Sequence, residues 1–243
     1  MSTTLPPAEG ASPDGRFSQF SFTIDEQVRE LGLHGMYFVM EELTNSSGHD
    51  EFDELLGHAL DDLDDAVATG YDPRTDPILA GYRMLHGAVG RSNRDHVASA
   101  ENLQRLVKMN GTIPRANLLV DVHNLVSLKT RLAISAHDLS KVRGNVRLSM
   151  TTGRERFFPL SSREPKAVHP GEYAYVDEAN EIIFRMETRQ AAATRPDLTT
   201  SECFYIVQGN PATNAAYVRR AANEVVALTK YFCGGRERPV SPG

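Results

Sequence analysis

An α+β fold is predicted for this 243-residue chain, with strands and helices segregated in sequence rather than alternating as βαβ units. Three observations predict it. Short runs near residues 17–43 are apolar or alternate with period two. Apolar spacing then becomes helical from about residue 50 to 128. Period two returns between residues 144 and 208, before one amphipathic closing segment.

The elements follow in order. "FSQFSFTIDEQV" and "HGMYFVMEEL" suit strands. "SSGHDEFDELLGHALDDLDDAV" places Phe52, Leu55, Leu56, Ala59, Leu60 and Leu63 at helical spacing, and its acids cluster early, as a helix N-terminus favours. "DDLDD" lacks the glycine and spaced ligands of a calcium loop and reads as a solvated helix face. "DPILAGYRMLHGAVG" is a second helix with Pro77 in its first turn. "HVASAENLQRLVKMNG" is a third, ended by Asn110-Gly111. "TIPRANLLVDVHNLVSL", residues 112–128, is a fourth. "GNVRLSMTTGRERFFPL" reads as a hairpin turning at Thr152-Gly153, and "GEYAYVDEANEIIFRMET" as another around Asp177–Asn180. "ECFYIVQG" is a further strand. "TNAAYVRRAANEVVALTKYFCGG" closes the chain as a helix capped by Thr213 or Asn214 and stopped by Gly234.

Bulk properties narrow the function. The composition, 40% hydrophobic and 24% charged, is enough for a substantial core. Cys203 and Cys233 are far apart and form no CxxC, which argues against a zinc site or disulfide framework and for reduced thiols in the cytoplasm. No metal or cofactor is expected. No apolar run approaches the roughly 20 residues of a membrane span. Residues 1–19, rich in Pro, Gly and Ser, read as a disordered arm without a signal pattern, ahead of one domain over residues 20–238. The net charge of −6 is unevenly spread: residues 1–75 hold 16 acids against 3 arginines, and residues 104–166 hold 12 basic residues against 4 acids. The basic segment either forms a phosphate-facing surface or lies against the acidic one in the fold.

The fourth helix poses the functional question. At 100° per residue, Leu118, Leu119, Val122, Leu125 and Val126 fall between about 80° and 200° from Asn117, while Asn117, Asp121 and Asn124 lie within about 40° of one line. Asparagine is a poor helix former and exposed faces favour Glu, Lys and Arg. A row of short polar groups is therefore expected to line a cleft that hydrogen-bonds a ligand. His123, at the edge of the stripe, reads as a packing or surface residue.

"IPRANLLVDVHNLVSLKTRLAISAHDLSKVRG" resembles the core segment of the B3/B4 domain of the phenylalanyl-tRNA synthetase β subunit, with its Asn, Val-Asp-Val, second Asn and apolar pair, and terminal Asp, here Asp138. "AGYRMLHGAVG", "ECFYIVQG" and "YFCGG" resemble flanking parts of that family, so the likeness runs from about residue 78 to 235. The resemblance implies a B3/B4-type fold of β-sandwich-like sheets with packed helices. It also implies a hydrolase that removes a wrong amino acid from mischarged tRNA, in trans where no aminoacylation core is present. Ser135 occupies the position of the family's editing histidine, with His137 two residues on, and the late-strand carboxylate falls near Glu202 or Tyr205. "METRQAAAT" keeps Arg189, Gln190 and Thr194 of a pattern in free-standing relatives, with Ala191 and Ala192 in place of Gly-Asp.

The residues expected to act are thus Ser135 and His137 in catalysis, with Asn117, Asp121, Asn124, Arg189, Gln190 and Thr194 in substrate binding. The expected partner is a mischarged aminoacyl-tRNA bound through its amino-acid moiety; oligomeric state is not readable. Two other readings stand beside this one: a non-catalytic module binding an amino acid, RNA or protein, and a hydrolase of small aminoacyl esters or amides.

Overall fold

The structure, a computed structural model, describes residues 20–160, 162 and 164–243. The expected arm, residues 1–19, lies outside them. The segregation of strands and helices is observed, and the fold is α+β.

Two sheets form the centre. One has the order β3 (Ala133–Asp138), β8 (Cys203–Gln208), β2 (Gly35–Glu41), β9 (Arg236–Pro239), antiparallel throughout. The other has the order β1 (Phe22–Ile24), β4 (Val146–Met150), β5 (Tyr173–Asp177), β6 (Ile182–Arg185), β7 (Arg189–Gln190), with only the β1–β4 pair parallel. Alternation along β2 and β8 makes the first sheet two-faced. Phe38, Met40, Cys203, Tyr205 and Val207 share a core with the helices, while Tyr37, Val39, Phe204 and Ile206 pack against Phe22, Leu148, Tyr175 and Phe184 of the second sheet. The layers are sheet, sheet, helices, each interface closed by apolar side chains.

The helical layer comprises α2 (Asp50–Ala68), α4 (Ser99–Asn110), α5 (Leu118–Thr130) and α6 (Ala215–Cys233). In α6 the buried residues Val218, Ala221, Ala222, Val225, Val226, Thr229 and Cys233 recur at helical spacing. Asn214 caps α6 by accepting from Tyr217 N, and Gly234 follows it in the left-handed region. α3 (Pro77–Ala88) begins at an Asp76 cap and sends Tyr82 to the sheets: its Oη donates to Gln208 O at 2.5 Å and accepts from Ala133 N at 2.8 Å. Both bonds tie the β3 end to β8.

Several expectations are corrected. The first run holds only the three-residue β1 and then a short helix, α1 (Glu26–Glu30), because "DEQVRE" lacks strand alternation. The turn at Thr152-Gly153 does not make a hairpin. It is held by Glu155, whose carboxylate accepts from Thr152 N and Gly153 N, and β4 pairs instead with the distant β5. The second hairpin, β5–β6, is present, with Asn180 at φ 59° in its turn. The fourth helix starts at Leu118, six residues later than expected. The basic and acidic segments meet through Arg115–Asp53, but most of the ion pairs of 104–166 are made elsewhere, such as Lys141–Asp197 and Arg156–Glu181.

Candidate active site

The outer edge of β3 is the centre of the site. Strand β3 pairs with β8 on one side only. On its other side lies a cavity of about 370 Å³ bounded by α4, the face of α5 from Val120 to Ser127 with the loop before it, and the segment after β6.

Local strain aims that segment. Met186 and Glu187 both sit in the left-handed region, at φ 45° and 40°. Such residues cost about 1–3 kcal/mol each and persist only where surroundings fix them. Glu187 is fixed four ways: its carboxylate meets His86 Nε2 at 2.5 Å, Tyr173 Oη at 2.7 Å and Gln208 Nε2 at 2.7 Å, and its carbonyl accepts from Ser99 N. The His86 pKa is raised: burial lowers it, but the Glu187 carboxylate outweighs that and favours the imidazolium. The sharp exit from Glu187 delivers Thr188 and Gln190 to the cavity, where Gln190 Nε2 donates to Ala136 O at 2.7 Å across the β3 edge. Its Oε1 has no partner among the described residues.

The expected row of three polar groups separates. Asn117 is the N-cap of α5, not part of its face. Its Oδ1 accepts from Val120 N at 3.3 Å and its Nδ2 donates to Pro196 O at 3.1 Å, so the amide joins the helix start to the 194–196 loop and does not border the cavity. Asp121 is fully buried; its carboxylate accepts from Arg115 Nε at 2.7 Å and Ala116 N at 2.9 Å. It anchors the loop before the helix rather than reaching a ligand. Asn124 alone lines the cavity, half-buried, with its amide unpartnered among the described residues. Because the helix starts at Leu118, Asn117 is its cap and has left the wheel on which the row looked continuous.

Ser135 and His137 alternate with Ile134 and Ala136 and point to the same face of β3. Ser135 lines the cavity; His137 lies behind it, fully buried. His137 Nε2 is 3.1 Å from Ser135 Oγ and its Nδ1 is 2.9 Å from Thr194 Oγ1. Burial pushes the His137 imidazole down to about 3, with neighbouring His123 adding to the shift, so the ring is neutral at physiological pH. The network also sets its tautomer. Thr194 Oγ1 is buried and His137 is its one partner among the described residues, so its proton goes to Nδ1. Nε2 then carries the proton and donates to Ser135 Oγ. The Ser135 hydroxyl is left to donate into the cavity.

Sequence reasoning missed three things here. His123 borders the cavity; only its distance from β3 in sequence concealed it. Arg195 also lines the cavity. Arg94, with Arg189, lines an adjoining cleft of about 540 Å³ that shares Asn102, Leu106, Leu160, Thr188 and Gln190 with it. Arg94, Arg189 and Arg195 are exposed, and no ion pair involves them among the described residues. Glu202 and Tyr205 border neither space. Tyr205 faces the helices and stacks on Phe38 at 5.1 Å.

The family model that describes the B3/4 domain matches residues 81–234, which include α5, β3, β8 and α6. The chain belongs to the B3/4 domain family. Among solved structures, this B3/4 domain protein is similar to an N-terminal fragment of the phenylalanyl-tRNA synthetase β subunit from Pyrococcus horikoshii. The match has 14% identity and a TM-score of 0.52, and covers 93% of this chain and 52% of that one. At that identity the likeness establishes the fold, and this chain spans about half the length of the fragment. No curated protein sequence matches the chain. Among the described residues of the B3/4 domain no helix is long and apolar enough to cross a membrane, and no cluster of His, Cys, Asp and Glu is placed to hold a metal.

Proposed function

We propose that this B3/4 domain protein is a trans-acting aminoacyl-tRNA deacylase, hydrolysing the ester between a wrong amino acid and the 3′ end of tRNA. The observation that carries the reading is the Ser135–His137–Thr194 relay, which presents a hydroxyl donor at the wall of a cavity of about 370 Å³. Ester hydrolysis needs an anchored acyl group, a held water and a donor where negative charge develops. Ser135 Oγ–H supplies the donor to the carbonyl oxygen as it becomes an oxyanion. His137 and Thr194 position that hydroxyl. Asn124 and Gln190 supply free amide atoms for the amino or hydroxyl groups of the acyl part. Asn117 and Asp121 act at one remove, holding the loops that carry Arg195 and Arg115.

The tRNA side of the reading is supported by charge. The protein is acidic overall, yet Arg94, Arg189 and Arg195 line the joined clefts without carboxylate partners among the described residues. Unpaired guanidiniums suit phosphate oxygens of an acceptor end.

Incubating the purified protein with a panel of mischarged tRNAs and following ester loss tests the reading. Acceleration over buffer for at least one pairing supports it. Rates equal to buffer for every pairing, with tight binding of an aminoacyl-adenosine analogue, would make the chain a binding module instead. Equal activity on aminoacyl esters lacking tRNA would make it a small-ester hydrolase.

A further inference from the structure

We infer that His123 is the proton acceptor of this site: its Nε2 takes the proton of the attacking water and returns it to the leaving ribose oxygen. The inference rests on the deacylase reading and adds a residue to it.

Geometry fixes the ring. His123 Nδ1 lies 3.1 Å from the carbonyl oxygen of Leu119, one turn earlier on α5. A carbonyl only accepts, so Nδ1 carries the proton and Nε2 is left with its lone pair. Nε2 has no protein partner among the described residues, and the side chain borders the cavity. His123 is thus held in one tautomer by the helix that presents it.

Elimination points the same way. No aspartate or glutamate lines the cavity among the described residues. The charged groups that do are Arg115, already engaged by Asp121 and Asp53, and Arg195. Arginine cannot accept a proton at any accessible pH. His137 stands behind Ser135 with both ring nitrogens engaged. Asn124, Gln190 and Ser127 are not basic, and Ser127 Oγ already donates to Leu132 O. Among the described residues, His123 is the one titratable acceptor left that lines the space.

The chemistry balances. Water oxygen bonds the ester carbon while one water proton passes to Nε2. The carbonyl π pair moves to oxygen, where Ser135 Oγ–H donates to it. Collapse of the tetrahedral intermediate breaks the bond from carbon to the ribose oxygen, which takes the proton back from the imidazolium. The amino acid leaves as its carboxylate after losing its own proton to water. Burial pushes the His123 pKa down to about 4, so the ring is unprotonated across the physiological range. The oxyanion forming beside it favours the imidazolium when the proton arrives.

The test pairs an activity readout with one that needs no activity. Nitrogen NMR of the ring in the free full-length protein is expected to show Nδ1 protonated and Nε2 bare; an Nε2-protonated ring overturns the inference outright. His123→Gln and His123→Ala are then compared with the unmodified protein on the tRNA pairing it deacylates fastest. Single-turnover ester loss is expected to fall about 10²- to 10⁴-fold. Binding of a non-hydrolysable aminoacyl-adenosine analogue is expected to hold within about threefold, and added imidazole to restore part of the His123→Ala rate. Folded variants that keep the full rate overturn the role of His123 and leave the deacylase reading intact. An unmodified protein without ester loss on any pairing overturns both.

Discussion

The imidazole of His137 joins Ser135, two residues away on β3, to Thr194 of the segment between β7 and β8, with Nε2 3.1 Å from Ser135 Oγ and Nδ1 2.9 Å from Thr194 Oγ1. Because Thr194 supplies the proton to Nδ1, the serine hydroxyl serves the cavity as a donor and not as a deprotonated nucleophile. Ser135→Ala is therefore expected to slow deacylation about 10²- to 10³-fold, the usual cost of one oxyanion donor. Analogue binding should change little, and mass spectrometry of a quenched reaction should show no acyl-serine. A covalent acyl adduct on the unmodified protein would contradict this.

Acid is expected to destabilise the fold through its two buried neutral histidines. Burial holds the His123 pKa near 4 and that of His137 near 3, while the unfolded chain protonates these rings at about 6.5. The unfolded state thus binds more protons between these values. The stability the rings contribute is complete above about pH 6.5 and is lost as pH falls toward 4 and 3. For His123 alone this is on the order of 3 kcal/mol. Urea melts at pH 7 and pH 4.5 should show the loss, and His123→Gln should show less of it. Equal stability at both pH values would refute the assignment.

Asn117→Ala is expected to fold but to be less stable by about 1–2 kcal/mol. It removes the α5 cap at Val120 N and leaves Pro196 O without its donor. The 194–196 loop carries Thr194 and Arg195, so hydrogen exchange should quicken there as well as at the helix start. A variant with unchanged melting and unchanged exchange would show that the amide is dispensable.

Arg94→Ala, Arg189→Ala and Arg195→Ala are each expected to weaken tRNA binding and to reduce its salt dependence. Each lost phosphate contact should lower the slope of log K against log salt by about 0.7–0.9. Ester loss from a small aminoacyl-adenosine should be nearly unaffected by Arg94→Ala and Arg189→Ala, which line the outer cleft. Unchanged slopes in all three variants would remove the clefts from the RNA-binding surface.

Glu187→Ala is expected to be strongly destabilising, by roughly 3–5 kcal/mol, because it strands buried His86, Tyr173 and Gln208 together. Circular-dichroism melts measure this directly. The milder Glu187→Gln should keep the fold better while loosening Gln190 from Ala136.

Period and punctuation made much of the fold legible. Helices α2, α3, α4 and α6 follow from apolar spacing with Asp76, Asn214, Gly111 and Gly234 at their ends, which are local effects of backbone hydrogen bonding. Strand β3 was hidden because its inward residues are Ser135 and His137, which break the apolar signature that marks a strand. The pairing of β4 with β5 was hidden for a different reason: a turn signal at Gly153 says that the chain bends and not what the next strand pairs with.

The residues of the motif around α5 and β3 determined, by themselves, which chemical groups the protein has to work with, and the resemblance they carry is matched by the B3/4 domain model over residues 81–234. Which of those groups meet was decided only by the tertiary structure. Ser135, His137 and Thr194 converge because the strained turn at Glu187 and the cap at Asn117 bring separate loops to one strand edge. A side chain's type is written in the chain, but a hydrogen bond needs two partners within about 3 Å. Between positions as far apart as 137 and 194, packing alone sets that distance.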